Sequence, residues 1–191
     1  MISRGVRATC LLSVVILALS SIRPLANAAQ QMSGLVYGEG YSFWIDAPKG
    51  WELDPKTAKE YGVNVVLYPT GSSFQNAPAV MYANTLRKDE TVQDVMKHEA
   101  DTYREKYKGI QISSRPELQT KDRTIAHVQC YKGEKENQSD EAVAFIHEKG
   151  FYVLLVLSAR SEHAFEEAYP AYEQLVRSYA LSNIAVTDKT K

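Results

Sequence analysis

The chain is poor in cysteine, in basic excess and in catalytic signatures, and each shortage removes a class of protein. Two cysteines in 191 residues, Cys10 and Cys130, cannot staple a disulfide framework, and neither stands in the paired spacing of a zinc or redox motif. Lys and Arg number 22 against 23 Asp and Glu, so there is no cationic surplus to displace counterions from phosphate, which argues against a nucleic-acid partner. The glycines do not make phosphate loops. Gly38-Glu39-Gly40 lacks the third glycine and the following helix of a dinucleotide fingerprint, and Gly71-Ser72-Ser73 lacks the lysine and spacing of a Walker loop. No G-x-S-x-G, H-E-x-x-H or Cys/His pairing with recognisable context is present, so a hydrolase has no motif to stand on.

Long hydrophobic runs are scarce too. Leu11 to Ser20 (LLSVVILALS) is too short to span a bilayer, and Arg23 and Pro24 interrupt the region where a spanning helix would have to continue. Arg4 and Arg7 before that run and Ala26-Asn27-Ala28 after it predict a secretory signal peptide over residues 1–28. Its removal takes away three arginines and no acid, so the exported chain is more acidic than the formal net charge of −1. The expected organisation is then a polar lead at 29–40, one domain at 41–181 and a flexible tail at 182–191. Localisation is expected to be periplasmic or secreted, without stable membrane insertion after cleavage. With Cys10 gone, Cys130 is the one thiol left, and its place in a strand pattern reads as a small buried hydrophobe.

What is abundant is β-pattern. Phe151 to Ala159 (FYVLLVLSA) is apolar on both alternating faces, as only a central strand covered on both sides requires. At about 25 cal/mol per Å², burying its seven large side chains is worth on the order of 10 kcal/mol, an upper bound because the unfolded chain already hides part of that area. Tyr41 to Ala47, Val63 to Pro69, Ala79 to Leu86, Ile110 to Arg115, Thr124 to Tyr131 and Ala142 to Glu148 read as further strands. Leu35 to Tyr37 is a brief strand candidate within the lead. Asp54, Pro55 and Gly62 bracket a short helix. Lys149-Gly150 makes a tight hairpin into Phe151. Thr70 to Pro78 and Lys132 to Glu141 are polar loops, the second carrying an Asn137-Gln138-Ser139 glycosylation triplet.

Two long amphipathic helices are expected. From Thr91 to Lys108, Val92, Met96, Ala100, Tyr103 and Tyr107 form an apolar stripe. From Ser161, Phe165, Tyr169, Tyr172, Val176 and Tyr179 form a second, with a kink or break at Pro170, which has no amide to donate. The opposite face of the first helix aligns Asp94, His98, Asp101 and Glu105, a donor set suited to a divalent cation. Lys97, Arg104 and Lys108 flank it, which is the pattern of a solvated surface. His127 and His147 form a second, thinner pairing with no third ligand placed.

The order of these pieces resembles the PsbP-like (Mog-like) superfamily. The carrying features are Tyr41-Ser42-Phe43 through Ala47-Pro48-Lys49-Gly50-Trp51, the helix after the Ala79 to Leu86 strand, the Gly150-Phe151-Tyr152 hairpin, and the closing helix with Phe165, Pro170, Tyr172 and Ser178-Tyr179. The resemblance implies an α/β (α+β) fold: an α/β/α sandwich with a central, mostly antiparallel sheet and two long flanking helices. It transfers no set of binding residues and no cofactor. The expected function is an exported, non-enzymatic binding or accessory domain that meets a protein or small-molecule partner in the cell envelope through its loops. The alternative is a metal-binding protein using the surface His and carboxylate groups.

Overall fold

A computed structural model describes residues 32–133 and 139–183. The expected signal peptide, residues 134–138 of the Lys132 to Glu141 loop, Asn137 among them, and the end of the tail lie outside them. The chain opens with β1 (Ser33–Gly38), β2 (Tyr41–Asp46), β3 (Trp51–Asp54), α1 (Pro55–Tyr61), β4 (Val65–Pro69) and β5 (Ala79–Leu86). It continues with α2 (Val92–Lys106), β6 (Gln111–Ser114), β7 (Leu118–Gln119), β8 (Ile125–Lys132), β9 (Asp140–Glu148), β10 (Phe151–Ala159), α3 (Glu162–Ser178) and β11 (Ala180–Leu181). The fold is α+β, with a largely antiparallel sheet and three helices.

The large sheet runs β3-β4-β5-β10-β9-β8-β6, with β7 also on β8. The apolar ribbon β10 is central, paired antiparallel with β9 on one side and β5 on the other. Its side chains divide by parity. Phe151, Val153, Leu155, Leu157 and Ala159 share one buried cluster with Ala164, Phe165, Ala168, Tyr172, Leu175 and Val176 of α3. Tyr152 and Val156 share the other with Val95 of α2, Tyr131, Val143 and Phe145, against which Met96 and Tyr103 pack. A slip of one residue would exchange the two sets, so burial on both faces holds the register.

A second sheet, β1-β2-β11, was not foreseen in the sequence. The lead is part of the fold: β1 pairs with β2 along its whole length, and Val36 is buried. Phe43 and Ile45 of β2 are fully buried, and the Phe43 and Tyr179 rings lie 5.4 Å apart. At Gly34 the inner face of β1 lies so near Leu53 that an added Cβ would sit 2.7 Å from its Cδ1.

The helix termini follow the residues that predict them. Asp54 caps α1, accepting from the amides of Lys56 at 2.8 Å and Thr57 at 3.0 Å and from the Thr57 hydroxyl at 2.6 Å. Gly62 closes that helix in the left-handed region at φ 68°, which glycine adopts without strain. Thr91 caps α2 and Ser161 caps α3. Of the kink or break expected at Pro170, the break does not occur: α3 runs continuously with Pro170 inside it. Pro170 and Glu166 are both solvent-exposed, so the Glu166 carbonyl that Pro170 cannot pair lies on the wet side of the helix, where water satisfies it.

Two stability predictions follow from these termini and from Pro170. Asp54→Ala is expected to cost about 1 kcal/mol in urea titrations at neutral pH, the usual worth of a cap. The Thr57 hydroxyl and amide hydrogen bonds hold the Asp54 carboxyl down to about 2. Its contribution is therefore complete above the ordinary carboxylate range and fades as pH falls toward that value, so wild type and variant should converge in acid. Pro170→Ala is expected to raise stability by about 1–3 kcal/mol, since proline is the poorest helix interior residue and no buried contact is lost with the exposed ring.

Candidate functional site: a cleft between α3 and the β6 margin

α3 lies along the middle of the sheet, and beside its first turns a cleft of about 190 Å³ opens toward the β6 edge. Cys130 and Phe165 form its floor, Ser113, Arg115 and Lys132 its sheet side, and Glu162 and Glu166 its helix side, with Asp140 at the end. The placement follows from parity. Gln111 pairs with Lys132 and Ser113 with Cys130, so these residues share the face on which α3 packs.

Two ion pairs cross the cleft. Arg115 Nη2 meets Glu166 Oε1 at 3.1 Å and Lys132 Nζ meets Glu162 Oε1 at 2.6 Å. The Arg115 guanidinium also lies 4.9 Å from the centre of the Tyr169 ring. Each pair is substantially exposed, so each is worth about 0–1 kcal/mol and exchanges readily for contacts with a ligand. Asp140 accepts from the Gly133 amide at 3.1 Å, and among the described residues it has no ion-pair partner. Burial pushes the Cys130 thiol up, with the Arg115 hydrogen bond pulling against it, which disfavours the thiolate a nucleophile needs. No histidine lines the cleft. The chemistry on offer is recognition of charged and hydrogen-bonding groups over a small apolar floor.

On the other face of the sheet, partly buried polar groups tie α2 down. Tyr103 donates to Glu141, Ser158 Oγ donates to Glu141 Oε1 at 2.9 Å, and the Tyr103 and Tyr131 rings stack at 4.0 Å. Burial, then the Glu141 charge, raise Glu99 above its ordinary 4.5. Burial raises Tyr82, Tyr103 and Tyr131 as well.

The structure scatters the cation candidates. Asp94 bonds the Thr91 hydroxyl, His98 Nδ1 meets Glu90 Oε2 at 3.0 Å, and Asp101 is held between Lys97 and Arg104. Glu105 is exposed. His127 Nδ1 meets Glu117 Oε1 at 3.0 Å, whereas the His147 ring stacks on Tyr152 at 4.6 Å. His127 faces Phe145, so His147 lies two residues along, on the diagonal. Among the described residues no group of three or more His, Cys, Asp or Glu is placed to hold a metal ion.

Of the two loops expected to form a partner surface, Thr70 to Pro78 is knitted to the body. Ala77 bonds back to Ser73 at 2.9 Å, the Arg160 amide donates to Pro78 at 2.9 Å, and Phe74 packs edge-on against Tyr61. The Lys132 to Glu141 loop begins and ends at the cleft. Arg115, Glu162 and Glu166 were not singled out in the sequence. Their one legible signal is the spacing of Glu162 and Glu166, a helical turn apart in the first turns of α3.

No protein-family model matches the sequence, and no curated protein matches it. Solved structures do. Cyanobacterial PsbP (CyanoP) from Synechocystis sp. PCC 6803 is similar at TM-score 0.52 and 16% identity, over 86% of this chain and 99% of that one. LpqN, involved in cell envelope biogenesis of Mycobacterium tuberculosis, is similar at TM-score 0.51 and 17% identity, over 80% and 92%. A Mog1 point mutant is similar at TM-score 0.53 and 13% identity, over 79% and 95%. At these identities the likeness is one of fold.

Glu99→Gln is expected to stabilise the protein at neutral pH. A raised folded-state value means that ionised Glu99 opposes folding and that protonation relieves it, so wild-type stability rises as pH falls through that value. The advantage of the variant should shrink as pH falls toward the ordinary 4.5 in paired denaturation curves.

Proposed function

We propose that this chain, which has the PsbP/Mog1-like fold, is an exported non-enzymatic binding or accessory domain and that the α3/β6 cleft is its recognition site. The carrying observation is the pair of exchangeable ion pairs, Arg115 with Glu166 and Lys132 with Glu162, that span an open cleft over a buried thiol and Phe165. Exposed pairs of this kind cost little to break, so a partner that offers replacement charges competes with them on nearly equal terms.

Two further features support the reading. The basic start, apolar run and A-x-A site of residues 1–28 suit export. LpqN, one of the similar structures, is described as involved in cell envelope biogenesis. We also read the layers as an α/β/α sandwich, with α3 and the small sheet on one side and α1 and α2 on the other. On that reading the cleft is where the cover over one face stops short of the sheet margin.

The test is capture from a cell-envelope extract by wild type, by a Glu162→Lys/Glu166→Lys variant, and by a variant whose Thr70 to Pro78 loop is replaced with a Gly/Ser linker. The expected result is a partner retained by the loop variant and lost from the cleft variant. Retention by the cleft variant would remove the cleft from the function.

A further inference from the structure

The margin of the large sheet beside the cleft has its own chemistry. The Arg115 amide donates inward to the Val128 carbonyl at 3.0 Å, and residues of an antiparallel strand alternate in direction. Gln111 and Ser113 therefore face β8, while the backbone groups of Ile112 and Ser114 turn outward, where among the described residues no strand pairs with them. Pro116 ends this short stretch. At the opposite margin the chain leaves β3 directly into α1, where Pro55 has no amide to offer and the Asp54 carboxylate caps the helix.

We propose that the β6 margin takes an extended peptide segment as an added strand, and that this segment delivers a Lys or Arg side chain into the cleft. This rests on the cleft being a recognition site. Side chains of an added strand alternate between the two faces of the sheet, so every second one enters the cleft walled by α3. Four residues of margin offer few backbone hydrogen bonds, and the cleft must supply the selectivity. Its charge decides which kind. Arg115 and Lys132 already carry carboxylate partners at 3.1 and 2.6 Å, whereas the acids Asp140, Glu162 and Glu166 on this face outnumber them. A cationic side chain entering beside β6 therefore shares Glu162 or Glu166 within this acidic surplus, while an anionic one is opposed by it.

The experiment uses the full chain and three fluorescein-labelled decapeptides of alternating threonine and valine, with lysine, alanine or glutamate at the centre. Anisotropy is expected to rank lysine over alanine over glutamate, with lysine at least about tenfold tighter than glutamate, equal to about 1.4 kcal/mol. Amide shift changes in ¹⁵N spectra should concentrate on Gln111 to Arg115 and on the first turns of α3. Methylating the backbone nitrogens of the lysine peptide should abolish binding whatever happens to the protein. Ser114→Pro, which removes an outward amide the fold does not use, should do the same, and Glu162→Lys/Glu166→Lys should invert the charge preference. Absent binding, charge-indifferent binding, tolerance of N-methylation or shifts elsewhere would overturn the proposal. So would a dimer in light scattering that Ser114→Pro dissolves, since the margin would then serve a second copy of the chain. Failure of the peptides together with cleft-dependent capture of an envelope partner would sink strand addition and leave the recognition reading intact. Peptide binding without cleft-dependent capture would do the reverse.

Discussion

A strand with no polar face sets the terms for everything around it. β10 lies between β5 and β9 and buries side chains upward and downward alike, so the sheet needs cover on both surfaces before it is stable in water. The chain supplies much of that cover as tyrosine, of which it has 12 against 5 phenylalanines. Tyrosine brings a large apolar body at the cost of a hydroxyl that needs a partner when buried. Each of the four most deeply buried finds one. Tyr172 donates to the Leu155 carbonyl at 2.9 Å, Tyr152 to the Glu90 carbonyl at 2.6 Å, Tyr131 to Gln129 at 2.6 Å and Tyr179 to Glu148 at 3.0 Å. Three of these bonds join elements that are distant in sequence or belong to different layers, so the groups that fill the core also orient what covers it.

The parts written as periodicity were legible, and the parts written as pairing were not. β5 and β10 have the bounds that alternation predicts, and the caps at Asp54, Thr91 and Ser161 stand where short polar side chains precede apolar patterns. The small sheet escaped because its third strand has two residues, Ala180 and Leu181, paired with Trp44 and Phe43 more than 130 positions away, and no local pattern encodes such a partner. α2 shows a middle case. The stripe legible in the sequence runs through Val92, Met96, Ala100, Tyr103 and Tyr107, yet Val95 is more deeply buried than Val92 or Met96, because the helix turns toward the sheet about a line between the two rows.

The cleft was invisible for a related reason. Arg115, Lys132, Glu162 and Glu166 each look like ordinary surface charge in their own neighbourhood. They become a site only when β6, β8 and α3 are brought side by side. The histidine and carboxylate face of α2, by contrast, read in one dimension as a solvated surface with a metal set as its alternative. In three dimensions its members turn to separate partners, because side chains four residues apart on an exposed helix find their nearest opposite charges before they find each other.

Cover is therefore complete over β10 and thins toward the β6 margin, and that unevenness separates the conserving part of the structure from the adaptable part. Core positions are constrained by volume and register, and a fold of this kind persists in chains only 13–17% identical. Charges at a thin margin face no such constraint, because exchanging one exposed ion pair for another changes stability little. One scaffold can then carry different partners by rewriting a few residues at its edge, and similar folds need not share a role. On the proposed reading, the distinguishing chemistry of this chain lies in the acidic walls beside β6, and the layers beneath hold those walls a fixed distance apart.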